Sequence, residues 1–122
     1  MTPRELKSAI EERLKMAHSR VYYQNATSSA PFPHLVFDLP NAIDQGDPPE
    51  VWVLDVDGWD KGVDTAALDA LMESVDSVLQ RQTLVAGGAR ARVYRDIRLS
   101  PITEDNTELK RRRYTYQVRV YQ

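Results

Sequence analysis

The sequence predicts an α+β fold, in which a mostly antiparallel sheet of about five strands carries two helices on one face, in the order α-β-β-β-α-β-β. Two segments have apolar residues at helical spacing, and the segments around them are short and rich in β-branched and aromatic residues. Neighbouring strand segments have short connections, which favours antiparallel pairing with both helices on one side. With 122 residues, the chain is predicted to form a single domain over residues 1–122.

The first helix has a clear start. Thr2 can act as the N-cap, Pro3 suits the first helical position, and Glu5 completes a capping box with Thr2. The helix is expected to end near His18. Its apolar stripe is narrow, which predicts that the helix lies on a sheet. The stripe consists of Leu6, Ile10, Leu14 and Ala17.

Three strand segments follow the first helix. They cover residues 21–23, 34–39 and 51–57, and the third has the strongest alternation of apolar residues. Residues 25–33 contain two prolines and small polar residues, which predicts a loop. Residues 40–50 predict a second, unusually long loop with three prolines and three acids. Gly58 is expected to end the third strand.

The second helix is more hydrophobic than the first. Asp64 or Thr65 is predicted to cap it, and it should run to about Arg81. Its apolar residues are Leu68, Leu71, Met72, Val75, Val78 and Leu79. Gly87 and Gly88 are expected to close a linker, and the last two strands are predicted over residues 90–99 and 111–121. In the final strand, alternation predicts one buried face made of Tyr114, Tyr116, Val118 and Val120.

Charge is distributed unevenly along the chain. Residues 1–79 hold six Lys/Arg and fourteen Asp/Glu, for a net charge of −8, whereas residues 80–122 hold ten and four, for +6. Such a division indicates either an electrostatic partner for one end or complementary faces that join copies of the chain. The alternative is that the two halves neutralise each other within one folded domain.

The sequence carries no recognisable catalytic or metal-binding motif. It has no cysteine, which excludes disulfides and thiolate sites, and its two histidines, His18 and His34, lack metal-ligand spacing. A calcium loop opening at Asp55 would need a glutamate where Ala66 stands. Asp55 and Asp57 share a strand face but lack an evident base partner. We therefore expect no enzyme activity, no metal and no cofactor, and the sequence shows neither a membrane span nor a signal peptide.

The strongest charge cluster is Lys110 to Arg113. It could contact nucleic-acid phosphates, with nearby tyrosines stacking on bases. Two structural alternatives compete with that interpretation. The charges could discourage unwanted pairing at a sheet edge, or the basic strand could meet the acidic half of a neighbouring copy.

Taken together, the sequence resembles the tail terminator proteins of long-tailed bacteriophages, also called tail completion or head-to-tail joining proteins. The resemblance spans almost the whole chain and is carried by the order of its segments. These are the N-terminal helix, VYYQNA, PFPHLVFDLPNAID, VWVLDVDGWD, ALDALMESVDSVLQ and RRRYTYQVRVYQ.

The resemblance implies a small α+β structural protein of the virion that assembles as a homo-hexameric ring at the neck. Such a ring caps the tail tube protein, stops its polymerisation and presents a surface to the head-completion or connector protein. It implies assembly in the host cytoplasm, no enzyme activity, no cofactor and no membrane partner, with DNA only as cargo through the channel. A head-completion stopper of the neck and, from another class, a small nucleic-acid-binding module are the alternatives.

A ring needs head-to-tail interfaces between two different patches, and the opposite charges of the two halves could supply them. The candidate interface residues are Arg111, Arg112, Arg113, Arg119, Asp55, Asp57 and Asp60. The loops over residues 40–50 and 101–108 are candidates to order against the tube or connector. Their candidate contact residues are Asp44, Asp47, Glu50, Glu104 and Asp105.

Overall fold

The computed structural model describes residues 1–43, 50–62, 64–99 and 109–121, which form two helices and one six-stranded sheet. In chain order the elements are α1 (Pro3–Ala17), β1 (Val21–Tyr23), β2 (His34–Ile43), β3 (Glu50–Lys61), α2 (Ala66–Leu79), β4 (Thr83–Ala86), β5 (Ala89–Leu99) and β6 (Leu109–Tyr121). The α+β class and the predicted elements are confirmed. The sheet has six strands where about five were predicted, and the additional strand is β4.

The strands lie side by side in the order β1-β2-β3-β6-β5-β4. β1 and β2 are parallel, and the other four neighbouring pairs are antiparallel. β6 lies between β3 and β5, so it joins the strands that precede α2 to the strands that follow it. The sheet is therefore mostly antiparallel, as predicted, with one parallel pair at its edge.

The start of α1 has the predicted geometry. The Glu5 amide donates to Thr2 Oγ1 at 3.1 Å, and the Thr2 amide donates to Glu5 Oε1 at 2.8 Å, which completes the capping box. The helix ends at Ala17, and His18 is its C-cap. Both predicted ends are confirmed.

α2 begins at Ala66, after Thr65 as N-cap, but the Thr65 side chain does not cap the helix. The Thr65 hydroxyl donates to Asp69 Oδ2 at 2.9 Å, and Asp64 Oδ1 accepts from the Ala66 amide at 3.1 Å. Of the two predicted caps, Asp64 accepts a hydrogen bond from the start of the helix, whereas Thr65 occupies the N-cap position without a side-chain bond to the backbone. The helix ends at Leu79, slightly before the predicted Arg81.

The prediction that Gly58 ends the third strand is wrong. β3 continues through Gly58 to Lys61. A Cβ at Gly58 would lie 2.6 Å from Met72 Sδ and 3.0 Å from Leu68 Cδ1, both on α2. The glycine therefore lets the helix approach the middle of a strand.

The predicted loop over residues 40–50 begins too early. β2 continues through Pro40 to Ile43, with a shift in the β2–β3 register between Asp38 and Asn41. A bulge of this kind accommodates a proline, which cannot donate to the ladder. Glu50 is the first residue of β3. Asp44, Asp47, Glu104 and Asp105 lie outside the described residues.

Gly87 and Gly88 form a tight turn between β4 and β5, where a linker was expected. Their φ angles are +57° and +76°, and Ala86 pairs directly with Ala89. Two positive φ angles in succession are what a two-residue hairpin turn requires. The signal for β4 was weak, because the strand has four residues and buries only Leu84 fully.

Both helices pack on the same face of the sheet and enclose the core. The largest fully buried side chains include Tyr116, Phe37, Leu6, Ile10, Leu14, Leu35, Leu54, Leu68, Met72, Leu79, Val56 and Val75. On β6, Tyr116, Val118 and Val120 are buried and Tyr114 is half-buried, which confirms the predicted alternation. The opposite side of β6 therefore faces away from the helices.

Candidate functional site

We call the side of the sheet that faces away from both helices the open face. Within the described residues, neither helix packs on it, since both contribute to the core on the other side. Strand alternation and the ladder register place polar and aromatic side chains on it. They include Asp38, Asp55, Asp57, Trp59, Arg90, Arg92, Tyr94, Arg111, Arg113, Thr115, Gln117 and Arg119, and the apolar Val36 lies on the same face.

A cross-strand ion pair occupies the middle of the open face. Arg113 Nε and Nη2 donate to the two Asp57 carboxylate oxygens at 2.7 Å and 3.0 Å. Asp57 is buried, with its side chain 13% exposed. The hydrogen bonds to Asp57 raise the pKa of Arg113 further above its ordinary value. Two residues predicted to join copies are therefore paired within one chain.

The neighbouring positions on β3 and β6 are also paired across the ladder. The Thr115 hydroxyl donates to Asp55 Oδ1 at 2.8 Å. The Arg111 guanidinium lies over the Trp59 ring, 5.0 Å from its centroid, which is a cation–π contact. Arg111 Nε is buried and has no hydrogen-bond partner among the described residues.

The two remaining acid and base candidates from this region lie on the helix side of the sheet. Arg112 Nε lies 3.2 Å from Asp69 Oδ1 of α2, so it links the last strand to the helix. Asp60 is opposite Lys110 in the β3–β6 ladder, and Asp60 Oδ1 accepts from the Lys61 amide at 2.8 Å. The basic run 110–113 is thus divided between two faces, as strand alternation requires.

Arg119 belongs to a second group of charges, at the other end of the open face. It is opposite Arg92 in the β5–β6 ladder. The Arg119 and Arg92 guanidinium carbons lie 5.0 Å and 5.8 Å from the centroid of the Tyr94 ring. Arg90, two residues before Arg92, is exposed and lies on the same face. None of the ion pairs among the described residues includes Arg90, Arg92 or Arg119.

Sequence reasoning missed Arg90, Arg92 and Tyr94 as candidate site residues. The segment Arg90-Ala91-Arg92-Val93-Tyr94 alternates polar with apolar residues, and this pattern already places both arginines and the tyrosine on one face. Their alignment with Arg119 could not be predicted, because it depends on the β5–β6 register.

A depression of about 350 Å³ lies where β2, β3 and β6 meet the loop after β1. Its lining includes His34, Trp59, Asp57 and Arg111. His34 Nδ1 lies 3.2 Å from the Pro31 carbonyl oxygen, and burial lowers the pKa of the imidazole. The His34 ring contacts two aromatic rings: Tyr22 is edge-on at a centroid distance of 5.7 Å, and Phe32 is tilted at 5.0 Å.

The described residues contain no group of three or more His, Asp or Glu side chains placed to hold a metal ion. The two histidines, which lack metal-ligand spacing in the sequence, both contact carbonyl oxygens of the loop before β2. His18 Nε2 lies 2.9 Å from the Pro33 oxygen, and His34 contacts Pro31. Neither described helix has the length and hydrophobicity needed to cross a membrane.

The chain folds as a six-stranded, mostly antiparallel sheet with two helices on one face, and solved structures of other proteins share this fold. One solved structure with this fold is a chain from the virion of a native gene transfer agent (GTA) particle. The TM-score is 0.77 at 15% identity, and the match covers 96% of this chain and 95% of that chain. A second solved structure, which carries no functional description, matches with a TM-score of 0.74 at 18% identity over 100% and 97% of the two chains. No protein-family model and no curated protein sequence matches this sequence.

Proposed function

We propose that the chain is a structural virion protein of a tailed, phage-like particle, and that it acts as a tail terminator. It forms a ring of copies, six by the resemblance, at the head-proximal end of the tail tube. There it stops tube polymerisation and joins the tube to the connector of the head. The observation that carries the proposal is the likeness to a virion chain over nearly the full length of both chains.

The distribution of surfaces supports assembly into a ring. A ring is built from head-to-tail contacts, in which one patch of a subunit meets a different patch of the next subunit. The sheet presents a charged and aromatic open face on one side and two amphipathic helices on the other. Two chemically different surfaces on opposite sides of a single sheet suit such contacts.

The chemistry of the open face supports a binding role instead of a catalytic one. Asp55 and Asp57, the two carboxylates closest to each other on β3, are engaged by Thr115 and Arg113. These hydrogen bonds hold both carboxylates against side chains of β6, so the two groups serve to join neighbouring strands. We therefore propose that the protein has no enzyme activity and that its partners are other virion proteins, with DNA passing through the ring.

Particles that lack this protein provide the test. If it terminates tails, electron micrographs of the deletion should show overlong tube structures or tails without heads, and supplying the intact gene should restore normal particles. Tails of normal length beside heads that lose their DNA would instead identify a head-completion stopper. Normal particles in the deletion would overturn both assignments.

The alternative of a nucleic-acid-binding module has its own measurement. Phosphate contacts predict a DNA affinity that falls steeply with salt concentration, with a slope set by the number of phosphates contacted. A terminator predicts little affinity for free DNA and binding to the ends of isolated tail tubes. Tight, salt-sensitive DNA binding without tube binding would contradict the proposed function.

A further inference from the structure

Arg92 and Arg119 are directly opposite each other in the β5–β6 ladder, and neither is in an ion pair among the described residues; their guanidinium groups donate to the neutral oxygens Thr83 Oγ1 at 3.1 Å and Gln117 Oε1 at 3.3 Å. Like charges directly opposite each other in an antiparallel ladder are destabilising. Both guanidinium groups flank the Tyr94 ring, and Arg90 adds a third cation on the same face. We call Arg90, Arg92, Arg119 and Tyr94 the arginine patch. Its uncompensated charge indicates an anionic partner that the isolated chain does not supply.

The surroundings of the arginine patch favour a protein partner over a nucleic acid. Tyr121 and Val85 are both opposite Arg90 in the ladders, and they are 42% and 67% exposed. Protein interfaces are enriched in arginine and tyrosine and depleted in lysine, and their energetic centres are dominated by such residues. An exposed valine and tyrosine beside three arginines match that composition.

A matching acidic surface lies on the other side of the same molecule. α2 contains three acidic residues and no lysine or arginine. Glu73 is exposed and forms no ion pair among the described residues. Asp64 and Asp69, near the start of the helix, are also exposed, and Asp69 is paired with Arg112 of its own chain. We call Asp64, Asp69 and Glu73 the acidic end of α2. The exposed neighbours Ala66, Ala67 and Ala70 leave room for a close approach.

These two surfaces cannot meet within one chain, because α2 and the open face are on opposite sides of the sheet. In two copies of the chain they can. We propose that the arginine patch of one copy docks on the acidic end of α2 in the next copy. The contact is head-to-tail, so it leaves a free arginine patch at one end and a free α2 at the other, and it repeats until a ring closes. The proposal rests on the ring assembly proposed above and names its subunit interface.

Charge reversal tests the contact directly. Arg92→Glu with Arg119→Glu should weaken self-association at least roughly tenfold, since like charges brought together at an interface cost several kcal/mol. Asp64→Arg with Glu73→Arg should have the same effect. An equimolar mixture of the two double variants should regain the contact between unlike copies. Arg4→Glu with Arg81→Glu, which changes charge equally at exposed positions outside both surfaces, is the control and should leave self-association unchanged.

Because the chain has no cysteine, a cross-link can report the contact inside assembled particles. A chain carrying both Arg92→Cys and Glu73→Cys should form a series of disulfide-linked oligomers, from dimers up to the full ring, whereas each single variant should not form this series. Absence of these cross-linked oligomers in particles that contain the protein overturns the proposed interface. If such particles still have normal tails, the proposed function stands without this interface. If reversal of the arginine patch removes DNA binding and leaves self-association intact, the patch is a nucleic-acid site and the proposal is wrong.

Discussion

Asp57 and Arg113 face each other across the β3–β6 ladder and form a two-point ion pair, with distances of 2.7 Å and 3.0 Å. The pair joins residues that are far apart in the sequence and lies between the two central strands. Its acidic member is buried, and its basic member is about one-third exposed. It is therefore a structural element of the sheet, whatever else Arg113 contacts.

Removing one member of this pair should destabilise the protein. We expect Asp57→Ala to lower the free energy of unfolding by about 2 kcal/mol. A broken buried pair costs about 3–5 kcal/mol, and the partial exposure of Arg113 reduces that cost by solvent screening. Urea unfolding at neutral pH measures the change. Glu11→Ala, which removes the exposed pair with Lys15, is the control and should change stability by less than about 0.5 kcal/mol. Equal effects of the two substitutions would contradict a structural role for the Asp57–Arg113 pair.

Gly58→Ala tests the close approach of α2 to β3. The added methyl group would lie 2.6 Å from Met72 Sδ, so the helix or its side chains must move. We expect a loss of about 1–3 kcal/mol in the free energy of unfolding, as for other overpacked cores. Combining Gly58→Ala with Met72→Ala should cost less than the sum of the two single changes, because the shortened side chain makes room. Strict additivity would show that the methyl group does not meet Met72.

The turn between β4 and β5 depends on positive φ at two successive residues. Gly88→Ala should lower the free energy of unfolding by about 1–2 kcal/mol, because an L side chain is disfavoured at its φ of +76° while nothing crowds the site. Gly88→Asn should cost less, since asparagine tolerates this conformation. Thermal unfolding of the two variants gives the comparison. Indistinguishable stabilities would mean that the turn adapts its conformation.

Tyr116 should make the stability of the protein sensitive to alkaline pH. Burial is the main cause that raises the pKa of its hydroxyl, which also donates to Asp76 Oδ1 at 2.9 Å. Above pH 10 the unfolded chain releases this proton and the folded chain keeps it, so stability falls as pH rises. The contribution is about 1.4 kcal/mol per pH unit for one proton.

The matched variant is Tyr116→Phe. It should lose about 1 kcal/mol at pH 8, where a hydrogen bond is removed, and it should show a shallower decline in stability between pH 10 and pH 11. Urea unfolding at pH 8, 10 and 11 gives the pH dependence of the free energy of unfolding for the unchanged protein and for the variant. The other tyrosines contribute equally to both. Parallel slopes would show that Tyr116 titrates normally in the folded protein.

Local signals in the sequence were enough to predict most of the elements. The capping box of Thr2 and Glu5 and the alternation of the final strand depend only on residues close in sequence, and both were confirmed. Gly58 was misinterpreted because its role depends on Met72, which approaches it only in the folded state. A glycine in a strand and a glycine in a turn look alike until the packing partner is known.

The candidate site was harder to predict, because its charges interact through the register of distant strands. The sequence showed an acidic and a basic half, and both the in-chain and the between-copy interpretations were open. The ladder joins Asp57 to Arg113 within the chain, and it leaves Arg92 opposite Arg119. The role of the candidate residues in an interface between copies stays a prediction.

The position of β6 has a consequence for how the protein is made. Because β6 lies between β3 and β5 and follows all the other strands in the chain, the ribosome completes both flanking parts of the sheet before the strand that unites them. Until then, β3 and β5 each present an unpaired backbone edge, which is prone to pair with other chains. Pairing of Leu109–Tyr121 with both of these edges should therefore be the event that commits the polypeptide to its native state and ends its exposure to aggregation.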